Sequence, residues 1–242
     1  MKKLPLMFAD TETTGTEERD RLIQLAYRCG KRDVNELYQP PSGVSIGVGA
    51  MAVHHITETM VTDKTRFKGS DEHKFLKKNR NKVVFVAHNA PFDTGMLAKE
   101  GIEFPHVIDT LRVIRHLDKD YKIERHNLQY LRYYFGMEID AVAHDAWGDI
   151  LVLEQLYNLL EKQVQKINDN ALTDEEVVAK MIKATNKPVL MRKFTFGKHK
   201  ERWLKDVVED DRGYLTWLQN EKMKEPEGEE DWLYTLNYYL NR

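Results

Sequence analysis

A short apolar run, Leu4 to Ala9, ends abruptly at Asp10. Its length and its stop at a charge predict a buried strand followed by a Thr/Gly loop over Thr11 to Thr16. Arg21 to Cys29 carries Leu22, Ile23, Leu25, Ala26 and Tyr27 and predicts a second strand. Val34 to Tyr38 predicts a third, stopped by Pro40-Pro41, since proline lacks the amide a ladder needs. These three make an antiparallel meander. The pattern then changes. Phe75 to Asn79 and Phe92 to Glu100 have helical character, the latter stopping at Gly101, and flank a continuous apolar strand, Val83 to Ala87. His106 to Ile108 reads as a short strand. Thr110 to Leu117 and Leu128 to Phe135 have helical apolar spacing, the second ending at Gly136. In the longest predicted helix, Ala146 to about Ile167, residues Ile150, Leu153, Leu156, Tyr157 and Leu160 recur at steps of three and four. Three strands followed by alternating helices and strands predict an α/β domain, a mixed five-stranded sheet flanked by helices, over residues 1–168.

Residues 169–189 read as a helical linker. Asn168-Asp169-Asn170 breaks the pattern, Thr173 with Glu176 predicts a capping box for a helix through Ala184, and Asn186-Lys187-Pro188 breaks it again. Residues 190–242 read as a small, mostly helical accessory domain. There Lys193, Lys198, Lys200, Arg202 and Lys205 interleave with Phe194, Phe196 and Trp203, and an acidic run, Glu209 to Asp211, follows. Trp203, Tyr214, Trp217 and Leu218 are the expected core of that domain, and two short helices are expected around the polar stretch Glu225 to Asp231.

Composition narrows the class. With 41% hydrophobic and 31% charged residues the chain suits a soluble globular protein. A net charge of −2 argues against a protein that coats nucleic acid through global charge, so any such contact needs locally grouped cations. The single cysteine, Cys29, precludes an internal disulfide and a cysteine-rich metal site, and the expected compartment is the reducing cytoplasm. The apolar run after Lys2-Lys3 is too short for a signal peptide, and no stretch has the length of a membrane span.

Three segments carry candidate chemistry. Asp10-Thr11-Glu12 follows an apolar strand, and residues two apart on an extended chain point the same way, so both carboxylates can share a cation. His88-Asn89-Ala90-Pro91-Phe92-Asp93 follows another strand and puts Asp93 in the first turn of a helix. His144-Asp145-Ala146-Trp147-Gly148-Asp149 puts His144 just before the long helix and Asp149 just inside it. Each has an ordinary explanation alone: solvated acids at a strand end, a complement to a helix dipole, an N-cap beside a surface histidine. Together they place Asp10, Glu12, Asp93 and Asp149 at strand ends or helix starts, where sites form in α/β sheets. Four gathered carboxylates repel unless cations sit among them, and an all-oxygen set points to Mg²⁺ or Mn²⁺. Two such ions about 4 Å apart suit phosphodiester cleavage, one activating water and one stabilising the leaving 3′ oxygen.

These segments resemble the three exonuclease motifs of the DEDD superfamily in its histidine-bearing, DnaQ-like (DEDDh) branch, with Asp10-Thr11-Glu12-Thr13-Thr14-Gly15, His88-Asn89-x-x-Phe92-Asp93 and His144-x-Ala146-x-x-Asp149 in order. Asp20-Arg21-Leu22-Ile23-Gln24, Val53-His54-His55-Ile56-Thr57 and Asp109-Thr110 add lesser family features, although the family more often has glycine at the place of His55. The resemblance spans about residues 4–168. It implies an RNase H-like fold and 3′→5′ hydrolysis to nucleoside 5′-monophosphates. By position, Asp10, Glu12, Asp93 and Asp149 would hold two metal ions and His144 would be the general base. Thr11, Thr13, Thr14, Gly15, His54 and His55 would lie against the terminal nucleotide. His88 is expected to be a hydrogen-bonded structural residue and Phe92 a core residue.

Phe196-Gly197-Lys198-His199-Lys200 with Gly213-Tyr214-Leu215-x-Trp217-Leu218 resembles the small domain that follows some exonuclease X-like proteins, with Glu201 in place of a glycine and Arg212 in place of a proline. Lys193, Lys198, Lys200 and Arg202 are its candidate nucleic-acid contacts. DNA is the favoured partner, for repair or editing, on that likeness. The alternatives are an RNA exonuclease such as RNase T or oligoribonuclease, a binding module on an inactive fold, and an unrelated phosphate-metabolising enzyme. All five site residues are present, which argues against the binding module, and the ordered three-motif pattern argues against the last.

Overall fold

The computed structural model describes residues 4–139 and 146–242. Strands β1 (Leu6–Thr13), β2 (Leu22–Cys29), β3 (Arg32–Leu37), β4 (Val84–Ala87) and β5 (Val107–Asp109) form one sheet in the order β3-β2-β1-β4-β5. The meander β1-β2-β3 is antiparallel, whereas β4 pairs parallel to β1 and β5 parallel to β4. The sheet is therefore mixed, as the pattern predicts. One boundary differs. Thr11 to Thr13, expected in a loop, continue β1, with Thr11 opposite Leu25, Glu12 opposite Gln24 and Thr13 opposite Leu22. The ladder to β2 and the β-branched threonines sustain the strand past the end of its apolar run.

The two faces of β1 are covered differently. Met7 and Ala9 pack into a cluster with Leu25, Tyr27, Phe85 and Leu97. The last comes from α4 (Ala90–Lys99). On the other face the ring edge of Phe8 meets Tyr157 of the long helix Ala146–Lys166 at 5.4 Å between centroids. By strand alternation Asp10 and Glu12 share the side of Phe8.

The helices preceding α4 are α1 (Val48–His54), α2 (Glu58–Val61) and α3 (Asp71–Asn79). Those following it are α5 (Thr110–Leu117), α6 (Leu128–Tyr134), α7 (Ala146–Lys166) and α8 (Asp174–Thr185). The sequence pattern misses α1 and α2. They are seven and four residues long, too short to show a helical period. The capping box forms as predicted: Glu176 Oε2 accepts from Thr173 N at 2.8 Å, and Thr173 Oγ1 accepts from Glu176 N at 3.3 Å.

The chain divides into two compact units, residues 1–114 with 125–185, and residues 115–124 with 186–242. The predicted boundary at 168 thus falls inside the first unit, which takes in α8. In the second unit α9 (Leu204–Asp210), α10 (Arg212–Lys224) and α11 (Glu230–Leu240) close on Phe194, Leu204, Val207, Leu215, Leu218 and Leu236. Leu218 is buried as expected, but Trp217 is 52% exposed and stands outside that core. Among the described residues no helix is long and apolar enough to cross a membrane.

Candidate active site

Asp10 and Glu12 end β1 on the face that α7 covers, and Asp149 lies in the first turn of α7. Gln129 of α6 donates a hydrogen bond from Nε2 to Asp149 Oδ1 and so fixes that carboxylate. Asp93 sits in the first turn of α4, buried, with Oδ1 accepting from both Thr11 N (2.9 Å) and Thr11 Oγ1 (2.7 Å). Thr11 lies between Asp10 and Glu12, so this pair of bonds ties the second acidic segment to the first. Burial, with Asp109 adding like charge, pushes the Asp93 carboxyl well above the usual carboxylate range. A divalent cation beside it would reverse that preference.

Among the described residues no three His, Cys, Asp or Glu side chains converge closely enough to hold a metal ion. The chemistry of the set still fits one. Asp10, Glu12, Asp93 and Asp149 are all oxygen donors, which hard divalent cations prefer. His144 lies outside the described residues.

Beside Glu12 a cleft of about 450 Å³ is lined by Thr13, Thr14, Gly15, His54 and Phe92. Its wall is held by Asp20, a residue whose role the sequence does not reveal. Asp20 Oδ1 accepts from Thr14 Oγ1 and Oδ2 from Glu17 N, both at 2.7 Å. A Cβ on Gly15 would meet Asp20 Oδ2 at 2.5 Å, so only glycine fits against that carboxylate. Gly47 N donates to Thr14 O at 2.8 Å and joins the loop to the start of α1. His54 closes the other side. Its Nδ1 accepts from Ile56 N (3.0 Å), so Nε2 carries the proton toward Thr13 O (3.1 Å). Both ring nitrogens are thereby committed to backbone, and burial holds the ring's pKa below its ordinary value. His55 is exposed and caps α1 with φ 61°. Phe92, expected in the core, is half-buried and lines the cleft instead, because its place in the first turn of α4 turns it toward that opening.

The turn that delivers Asp93 is fixed from below. Asn89, at φ 69°, caps α4, and its amide donates to buried Asp109 Oδ1 at 2.9 Å, as does Leu111 N at 3.0 Å. Burial raises the Asp109 carboxyl's pKa against these amide bonds. His88 bridges Thr110 Oγ1 (2.9 Å) and His126 O (2.7 Å), the structural place the sequence suggests.

In the second unit three of the four candidate cations have partners within it. Lys198 Nζ meets Asp211 Oδ2 at 2.7 Å, Arg202 pairs with Asp210, and Lys193 Nζ lies over the Trp203 ring at 4.6 Å. Lys200 is exposed.

Residues 7–157 match the model of the family described as "Exonuclease", and residues 194–222 match "Exodeoxyribonuclease X-like C-terminal". Exodeoxyribonuclease 10 of Escherichia coli strain K12 is 30% identical over 220 residues, covering 89% of this chain and 90% of its own. DNA polymerase III subunit epsilon of Buchnera aphidicola (subsp. Acyrthosiphon pisum) is 30% identical over 207 residues, covering 76% and 84%. A structure of exonuclease X in complex with 5′-overhanging duplex DNA shares the fold with a TM-score of 0.55 at 24% identity, over 75% of this chain and 99% of that one.

Proposed function

The chain belongs to the exonuclease family, and on that premise we propose that it trims DNA from the 3′ end, releasing nucleoside 5′-monophosphates. The observation that carries this reading is the junction of acids and cleft: Glu12 belongs both to the carboxylate pair at the end of β1 and to the wall of the 450 Å³ opening. That volume suits a single nucleotide, since small-molecule pockets run from about 300 to 1,000 Å³. A terminal nucleotide held there would present its phosphodiester to the carboxylates. The names of both curated relatives refer to DNA, which favours DNA over RNA; a place in DNA repair or editing is part of the same proposal.

Asp10, Glu12, Asp93 and Asp149 would hold two divalent cations, Mg²⁺ or Mn²⁺, which when bound neutralise the phosphate and lower the pKa of water. The chain's own residues do the positioning. Gln129 fixes Asp149, and Thr11 fixes Asp93. The Thr13-Thr14-Gly15 segment at the end of β1, braced by Asp20 and His54, shapes the nucleotide wall. His144 takes the proton of the attacking water at an imidazole nitrogen near neutral pH. Product analysis tests the reading. Digestion of a linear oligodeoxynucleotide should release 5′-monophosphates only and leave a circular single strand intact. Cleavage of the circle, or release of 3′-monophosphates, would rule it out.

A further inference from the structure

The second unit has a cleft of its own, about 110 Å³, whose polar lining is Arg115, His116, Asp118, Lys119, Tyr121 and Arg192. Three permanent cations thus face one carboxylate, in a chain whose net charge is −2. That carboxylate is turned to the backbone: Asp118 Oδ1 accepts from Lys122 N at 2.9 Å and Oδ2 from Ile123 N at 3.2 Å. The cations are spared. Lys198 and Arg202 spend their charge on Asp211 and Asp210, whereas Arg115, Lys119 and Arg192 enter no salt bridge among the described residues.

The cleft is also built rather than incidental. Tyr121 OH accepts from Arg192 N at 2.7 Å and joins the 118–123 loop to the segment bearing Arg192. The Tyr121 ring sets its edge against Trp203 at 6.0 Å. His116 Nε2 lies 3.2 Å from Lys187 O, so it donates there. Like charges that line one cleft repel one another and favour an anion between them. The volume limits the size of the anion. At about 110 Å³ it is well below the roughly 300 Å³ at which nucleotide-sized pockets begin, and it suits one phosphate group.

We propose that this cleft binds a phosphate of the nucleic-acid strand, giving the second unit a backbone contact independent of base sequence. The inference rests on the nucleic-acid reading above. The test is equilibrium binding of the full chain to a fluorescent single-stranded oligodeoxynucleotide in EDTA across a salt series. Each phosphate neutralised contributes a slope of about −0.7 to log K against log [salt] for single strands. R115Q/K119Q/R192Q should bind more weakly, with a slope shallower by about 0.7, while R115K/R192K keeps the wild-type slope. Thermal melting with inorganic phosphate forms the second arm. Phosphate that stabilises wild type but not the triple variant, with identical slopes for both, would mark a free-phosphate site and overturn the strand contact. Identical slopes without any phosphate effect would overturn it too. A wild-type protein that neither binds nor trims the strand would instead overturn the exonuclease reading.

Discussion

Three departures from the patterns the sequence resembles fall at places where backbone geometry accounts for the residue expected there. His55 has φ 61° and Glu201 φ 67°, both in the left-handed region that glycine enters freely and other residues enter at a cost of about 1–2 kcal/mol. Arg212 is the first residue of α10, the helical position that favours proline. The strain at Glu201 is tolerated because its amide still donates to Phe194 O at 2.8 Å. Glu201→Gly should therefore stabilise the protein. Glycine's extra unfolded-state entropy offsets about 0.5–1 kcal/mol, leaving a Tm rise of roughly 2 °C by scanning calorimetry. A fall in Tm would mean that the carboxylate contributes more than its backbone costs. At this scale Asp10, Glu12, Asp93 and Asp149 stand out as candidates because acids at strand ends and helix starts are conspicuous. The bonds made by Asp20, Gln129 and Asp109 were not legible, because they depend on partners brought close only by folding.

Long helices such as α7 were legible from their apolar spacing, and the α8 cap from Thr173 and Glu176. The end of β1 was not, since its continuation depends on Gln24 and Leu25 across the ladder. The start of α10 shows how one acid organises an element. Asp211 Oδ1 accepts from Tyr214 N at 3.2 Å, and Oδ2 takes Lys198 Nζ and His199 Nε2. Lys198 and then His199 hold its carboxyl down at about 2, below its ordinary 3.8. A depressed carboxylate stabilises the folded state fully above its unfolded pKa and loses that contribution as pH falls through the folded one. Asp211→Asn should thus melt earlier than wild type at neutral pH, and the gap should close between pH 3.8 and about 2. Tryptophan fluorescence across a pH series of melts reports this. A gap constant through that window would show that Asp211 acts as a cap alone.

At the scale of the whole molecule, a net charge of −2 leaves substrate attraction to local groups, and each unit supplies a cleft: one beside the carboxylates, one lined by cations. The assignment of residues 115–124 to the second unit was invisible in the sequence, because Tyr121 finds Trp203 and Arg192 some seventy to eighty residues away. The central claim is that the first unit removes nucleotides from a 3′ end through its carboxylates. The most direct test incubates 5′-labelled single-stranded DNA, and the matching RNA, with Mg²⁺ or Mn²⁺ and with EDTA, using wild type and Asp10→Ala. The account predicts a ladder shortening from the 3′ end, faster on DNA, and abolished by EDTA or by Asp10→Ala. Intact strands in every lane with binding retained, or a ladder that survives Asp10→Ala, would contradict it.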